Sequence, residues 1–396
     1  MINRKMLALG SKRSVIRETF EYGNRRKAEI GADKVFDFSL GNPNLPSPEI
    51  VTSTLLELAQ ETDPCKLHAY TSAVGDFEAR KAISDQLNAE YNAFTNPCLI
   101  YLTCGAASSL MISLTAILNE GEEVIVLAPY FPEYKVFVEA SGGVLKVLEP
   151  TADYSLNISG LEKTINEKTR AIIVNTPNNP TGAVLTKDEL CALSKLLKEK
   201  SEEYGEPIYL ISDEPYRELV YDNLKLELPI NYYDNTIVCY SFSKSLSLAG
   251  ERIGYIIVSP NAENAKELYF AVCGAGRALG YVCAPSMFQK LIARVVGAKP
   301  DVASYDRNRT ALYNALTRLG FEVIKPQGAF YLFVKAPNGN ALDFCEEAKK
   351  LELLFVPSDE FGVSGYARIA YCVSYDTIYN SLTAFEKLSS KYFNEV

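Results

Sequence analysis

The segment YSFSKSLSLAGERIGY, residues 240–255, sets one lysine, Lys244, among small hydroxyl residues just beyond an apolar run. A lysine in such a place is partly desolvated, which lowers its pKa and frees the amine to attack a carbonyl carbon. Ser241, Ser243 and Arg252 supply hydroxyls and a guanidinium fork suited to a phosphate. Upstream, YLISDEPYRELVYD runs apolar and then reaches Asp213 and Tyr216. A carboxylate at the end of a buried strand is where an α/β fold presents a catalytic acid. Against a pyridine nitrogen it would keep that nitrogen protonated, and a protonated ring is an electron sink. In AIIVNTPNNPTGAV, Asn179 is placed to donate to a ring oxygen. In LTCGAASSLMISLTAIL, Gly105, Ala106 and Ala107 leave bare backbone N–H groups at a helix start, a ready anion site. Taken singly, each has an ordinary structural explanation: a surface lysine, a helix N-cap, an Asn-Pro turn, close packing of strand on helix.

The elements that must position these groups alternate in type. β-rich runs are expected at Leu99–Thr103, Val124–Ala128, Val144–Leu148, Ala171–Asn175, Ile208–Ser212, Thr236–Tyr240 and Arg252–Val258. Most are apolar on both faces, as strands between helical layers should be. Between them lie helical patterns, the clearest opened by a Thr186/Glu189 capping box and closed by Gly205. This alternation predicts an α/β unit with a mainly parallel sheet and a ligand at the carboxyl ends of its strands. The chain ends read differently. Residues 14–30 form a helix leading into a turn-rich stretch. After Pro285 come a long helix to about Gly320, paired strands in FEVIKPQGAFYLFVKAP, a short helix, a strand at Ala367–Val373 and a last helix from Asp376. Residues 1–47 and 285–396 are therefore expected to form one smaller α+β domain on a large α/β domain of residues 48–284.

At 396 residues the chain exceeds the usual size of a single core. Its net charge of −9 argues against nucleic acid or an anionic membrane as the main partner. Nine cysteines contain no C-x-x-C pair, and read as small, mostly buried thiols in a reducing compartment. A single histidine, His68, makes a His-based metal site unexpected, and it reads as packed or solvated despite lying near Tyr70. Only a five-residue apolar stretch, Met6–Gly10, occurs near the start, too short for a signal peptide, and no run would span a bilayer. The expected location is the cytoplasm.

The motifs NNPTG, SDEPY and SFSKSLSLAGERIG, in this order and spacing, resemble those of the fold-type I pyridoxal-phosphate (PLP) enzymes, specifically the class I aminotransferases of the aspartate aminotransferase kind. The resemblance extends over nearly the whole chain. It implies that Lys244 forms the Schiff base and shuttles the proton, and that Asp213 pairs with the pyridinium nitrogen. Asn179 and Tyr216 would then bond the phenolic oxygen. Arg252, Ser241, Ser243 and the backbone at Gly105, Ala106 and Ala107 would hold the phosphate. It further places Phe131 of APYFPEY over the cofactor ring and Arg368 of GYARIAYC on the substrate α-carboxylate. Gly41 becomes a substrate-side backbone contact, and Asn179 also counts among the substrate-binding residues. Tyr70 of HAYTSAVG would reach the phosphate of a neighbouring subunit, making the enzyme a homodimer with shared sites.

The implied reaction is transamination between an L-amino acid and a 2-oxo acid, with 2-oxoglutarate as the expected acceptor. A dicarboxylate needs a second cation. The nearest candidate is Arg277, which does not fall clearly on the family's position and reads more readily as a helix-surface residue. The stacking position holds Phe rather than Trp, and Ser358 and Asp359 stand where relatives more often carry glycine and a small residue. Both departures bear on substrate choice, not on the cofactor. A carbon–sulfur β-lyase shares these cofactor residues. A PLP-sensing regulator would need a DNA-binding module that neither end provides, and a nicotinamide dehydrogenase a G-x-G-x-x-G that does not follow the first strand.

Overall fold

Every one of the seven expected β-rich runs becomes a strand of a single sheet in the computed structural model, which describes residues 2–11, 14–152 and 154–393. In chain order, β1 (Phe36–Asp37) lies outside this sheet. β2 (Ile100–Thr103), β3 (Glu123–Leu127), β4 (Val144–Leu148), β5 (Thr169–Asn175), β6 (Tyr209–Asp213), β7 (Thr236–Ser241) and β8 (Gly254–Val258) form it, in the order β2-β8-β7-β6-β5-β3-β4. Neighbours from β7 through β4 run parallel, and only β8 is antiparallel to both of its partners. Residues such as Ile125, Ile172, Ile211, Ile237, Ile256 and Val258 are wholly buried, each contributing about 1.5–3 kcal/mol of hydrophobic stabilisation. β8 starts two residues later than expected, since Arg252 has a φ of +53° and cannot continue an extended strand.

The helix after Thr186 is Lys187–Tyr204, with the reciprocal Thr186/Glu189 capping box formed and Gly205 at its end. Residues 14–30 also behave as expected: Ser14 caps the helix Val15–Ile30 by accepting from the Arg17 N–H.

A second, four-stranded antiparallel sheet has the order β12-β13-β10-β9, built from β9 (Val323–Ile324), β10 (Tyr331–Lys335), β12 (Val356–Pro357) and β13 (Tyr366–Ala370). Beside it β1 pairs in parallel with β11 (Leu353–Leu354), which ties the N-terminal segment to the C-terminal part of the chain. Leu332, Val334, Ala367 and Ile369 pack with Leu312, Leu316, Phe385 and Leu388 in the core of this region.

One expectation fails. The single long helix between Pro285 and Gly320 is two helices, Ser286–Val295 and Val302–Arg318. Between them lies GAKPD: Gly297 favours the break, Pro300 has no N–H to donate, and Asp301 caps a new helix by accepting from Ser304. The first of the two packs with Val51, Leu58, Ile83 and Leu87 beside the large sheet, through Leu291, Ile292 and Val295. Among the described residues no helix is long and apolar enough to cross a membrane.

Candidate active site

Three neighbouring parallel strands, β5, β6 and β7, end in Asn175, Asp213 and Ser241, and a cavity of about 280 Å³ opens there. Its lining joins Gly41, Ala106, Ala107, Phe131, Asn179, Asp213, Tyr216, Ser241, Ser243, Lys244, Arg252 and Arg368, residues spread over most of the chain. A larger cavity of about 410 Å³ adjoins it and shares Asn175, but contains no lysine or arginine.

Lys244 lies in the single helical turn Phe242–Ser245 that follows β7. The Ser241 hydroxyl caps this turn by accepting from the Ser243 N–H, and the two serine oxygens are 2.7 Å apart. Lys244 Nζ donates to the Gly41 carbonyl at 2.6 Å and lies 5.5 Å from the centre of the Phe330 ring. Burial lowers its pKa to about 8; Arg368 and Arg252 add to the effect, and Cys372 opposes it. The amine thus reaches its neutral, nucleophilic form far more readily than a surface lysine.

Asp213 is buried at the end of β6. Its Oδ2 accepts from the Tyr134 hydroxyl at 2.5 Å, while Oδ1 is buried without a partner among the described residues. Burial pushes its pKa up to about 7, partly offset by the Tyr134 hydrogen bond. Asn175 fixes the surrounding backbone: its Nδ2 donates to the Asp213 carbonyl at 2.9 Å and its Oδ1 accepts from the Asn179 N–H at 2.7 Å.

The helix Ala106–Ile117 starts at the cavity with no side chain capping it, so its first N–H groups face a site suited to an anion. Gly105, at its N-cap, has a φ of +96°, and a Cβ there would lie 2.8 Å from Arg252 Nη2. Glycine is thus required by backbone conformation and by the close approach of the guanidinium. Arg252 is itself held by donation from Nη1 to the Ala249 carbonyl at 2.9 Å. Phe131 stands edge-on to Tyr134, and its loop is tied to the second sheet region by the Tyr130 N–H donating to the Phe361 carbonyl.

Arg368, on β13, is almost fully buried. Nη1 donates to Asn179 Oδ1 at 3.1 Å and Nη2 to the Ser39 carbonyl at 2.7 Å, while Nε has no partner among the described residues. Its guanidinium carbon lies 4.5 Å from the Tyr331 ring centre and 5.2 Å from that of Phe361. Three expected or weighed residues lie elsewhere. Tyr70 is 93% exposed, His68 is exposed beside a short helical turn, and Arg277 is exposed on the helix Ala265–Ala278; none lines the cavity. Conversely, Ile16, Leu40, Asn175 and Tyr331 line it without having been singled out in the sequence. Asn175 alone had a local signal, being the last polar residue of an apolar strand that enters the Asn-Pro turn.

Comparison with known proteins points to one family. The sequence pattern described as aminotransferase class I and II matches residues 33–385. A probable aspartate aminotransferase of Methanocaldococcus jannaschii is 30% identical, over 95% of this chain and 97% of its own length. An aromatic-amino-acid aminotransferase of Thermococcus litoralis is 29% identical, over 90% and 92%. Among solved structures, an amino transferase from Eubacterium rectale superposes with a TM-score of 0.97 at 50% identity over the full length of both chains. The aspartate aminotransferase of Thermotoga maritima superposes with a TM-score of 0.86 at 26% identity, over 98% and 99%. The chain belongs to the class I and II aminotransferases, a family of PLP-dependent enzymes.

Proposed function

We propose that this enzyme transfers the amino group of an L-amino acid to a 2-oxo acid, with 2-oxoglutarate as an acceptor and Lys244 as the residue joined to PLP through its amine. One observation carries the reading. A lysine of lowered pKa, a buried carboxylate with a bare oxygen and a buried guanidinium with a bare Nε line the same cavity.

The donor set fits PLP. Asp213 Oδ1 is a buried acceptor that requires a donor, and a protonated pyridine nitrogen supplies one. The uncapped helix start at Ala106 and Ala107, the Gly105 cradle, Ser241, Ser243 and Arg252 suit a phosphate. Phe131 offers a flat apolar face, and Asn179 and Tyr216 offer donors for the phenolic oxygen. When bound, the cofactor supplies an electron sink for the pair left at the substrate α-carbon.

The chain's own residues then divide the work. Arg368 binds the α-carboxylate as a fork and orients the α-carbon toward Lys244. Lys244, once its amine is free, takes the α-proton and returns it at the far end of the transfer. Asp213 holds the proton on the ring nitrogen. Gly41 anchors the lysine through its carbonyl and lies on the substrate side. The working unit is a homodimer in which Tyr70, exposed on the single chain, reaches the partner's phosphate site. Nine free cysteines support a cytoplasmic location, although only Cys239, Cys345 and Cys372 are buried, where the sequence suggests that most would be.

The test is chemical. Borohydride reduction of the yellow holoenzyme followed by peptide mapping should place the cofactor on Lys244. Lys244→Ala should lose both that linkage and turnover. Label on another lysine would overturn the assignment. A half-reaction screen should convert amino acids into 2-oxo acids of the same carbon skeleton, and 2-oxoglutarate should restore the aldehyde form. Release of a thiol with pyruvate would instead mark a β-lyase.

A further inference from the structure

Tyr331, the first residue of β10, touches three parts of the site that come from different regions of the chain. Its hydroxyl is 2.9 Å from that of Tyr216, with the two rings 5.8 Å apart and nearly perpendicular. Its ring lies 4.5 Å from the Arg368 guanidinium carbon. Its hydroxyl also fills the space over Gly41, where a Cβ would collide with it, and Gly41 is the residue whose carbonyl anchors Lys244. Tyr331 is 2% exposed, so each of these contacts is made away from bulk water.

The Tyr216 hydroxyl has one proton to give. If that proton points to Tyr331, none is left for a cofactor oxygen. The acidity of the two phenols sets the direction, since the more acidic hydroxyl is the better donor. Burial raises both, and Arg368 opposes that rise in each; its guanidinium lies against the Tyr331 ring, so it is the leading opposing influence on Tyr331 and a lesser one on Tyr216, which also faces Asp213. The ionisable groups facing Tyr331 are Arg368, Cys372 and Tyr216.

We propose that Tyr331 is a positioning residue whose hydroxyl donates to the Tyr216 oxygen, turning the Tyr216 proton toward the phenolic oxygen of the bound cofactor, while its ring supports Arg368. This rests on the PLP reading of the site. The Tyr331 hydrogen bond makes Tyr216 a stronger donor. Stronger donation draws charge from the phenolic oxygen, which then holds less tightly the proton it shares with the lysine nitrogen.

The readout is the visible-absorbance pH titration of the holoenzyme. Tyr331→Phe, which keeps the ring and deletes the hydroxyl, should raise the midpoint by about half a unit to one unit, and Tyr216→Phe by more. Adding Tyr331→Phe to Tyr216→Phe should change nothing further, because the first acts only through the second. KM for amino acids should stay unchanged in Tyr331→Phe and rise roughly tenfold in Tyr331→Leu, which also removes the cation–π support. Gly41→Ala, which must displace the Tyr331 hydroxyl, should shift the midpoint in the same direction. A Tyr331→Phe titration that superposes on the wild type would overturn the proposal, as would shifts that simply add in the double variant. Borohydride mapping on the same samples separates the two levels. Cofactor found away from Lys244 sinks the reading of the site; cofactor on Lys244 with an unmoved midpoint sinks only the role of Tyr331.

Discussion

The Tyr134 hydroxyl donates to Asp213 Oδ2 at 2.5 Å, and among the described residues it is the one side-chain hydrogen bond that restrains this buried carboxylate. Tyr134 comes from the helix Glu133–Ala140 that follows the Phe131 loop, so a single short segment both walls the cavity and steadies its acid. Replacing Tyr134 with Phe should raise the Asp213 pKa further and weaken its hold on a ring proton. The expected cost is about 1.5 kcal/mol, or roughly tenfold in the rate of the amino-acid half-reaction. Stopped-flow absorbance with a single amino acid would measure it, and an unchanged rate would remove Tyr134 from any functional role.

The same carboxylate makes a prediction about stability in the cofactor-free enzyme. Its folded pKa of about 7 exceeds the ordinary value of 3.8, so between these limits the folded chain keeps a proton that the unfolded chain has lost. The contribution of this group to stability is present below about pH 4 and is lost as pH rises through 7. Asp213→Asn removes that dependence. Thermal unfolding should show the variant gaining on the wild type as pH rises from 5 to 8, although it is catalytically crippled. Lys244 has the opposite sign. Its pKa is lowered from 10.5 to about 8, so stability should rise between those values and Lys244→Ala should flatten the rise. Parallel pH profiles for wild type and variant would contradict either statement.

Arg368 and Arg277 test substrate recognition separately. Arg368 is buried, makes two hydrogen bonds through its terminal nitrogens and keeps Nε free, a forked geometry that lysine cannot reproduce. Arg368→Lys should raise KM roughly ten- to a hundredfold for every amino acid, acidic or neutral. Arg277 is exposed and lies outside the cavity, so Arg277→Ala should leave the profile of neutral amino acids unchanged. A loss confined to aspartate and glutamate would show that Arg277 meets a substrate carboxylate across a subunit boundary.

Much of this arrangement is visible in the sequence because its signals are local. An apolar run that ends in Asp213, or is followed within four residues by Asn179 or Lys244, marks a strand end, and strand ends of a parallel sheet share one edge. The capping box at Thr186 and the N-cap at Ser14 are equally local. What escaped notice depends on contacts far apart in the chain. Tyr331 sits in GAFYLFVKAP, where it reads as one more core aromatic, and its partners Tyr216, Gly41 and Arg368 are remote in sequence. Tyr134 looks like a helix-face aromatic until β6 brings Asp213 beside it. The break in the helix at 296–301 is hidden for another reason: apolar residues on both sides of GAKPD keep a helical spacing, and only Pro300 and the Asp301 cap decide the break.

Tyr70 carries the last prediction, which concerns assembly. A tyrosine that is 93% exposed on the single chain has no packing role there, yet it stands in the motif assigned to a neighbouring subunit's phosphate. Sedimentation should therefore give a dimer. A Tyr70→Phe homodimer should bind PLP more weakly, because each site loses one hydroxyl donor, and a Lys244→Ala homodimer should be inactive. Mixing the two by reversible unfolding tests whether sites are shared. In the mixed dimer one site combines Lys244 of the first subunit with the intact Tyr70 of the second, while the other site carries both defects. An equal mixture contains half mixed dimers, so about one quarter of all sites should regain wild-type PLP affinity, given two equivalent sites per symmetric dimer. Titration with PLP should then resolve a tight class of sites absent from both parents. If the mixture shows only the sum of its parents, Tyr70 serves its own subunit and the shared site is wrong.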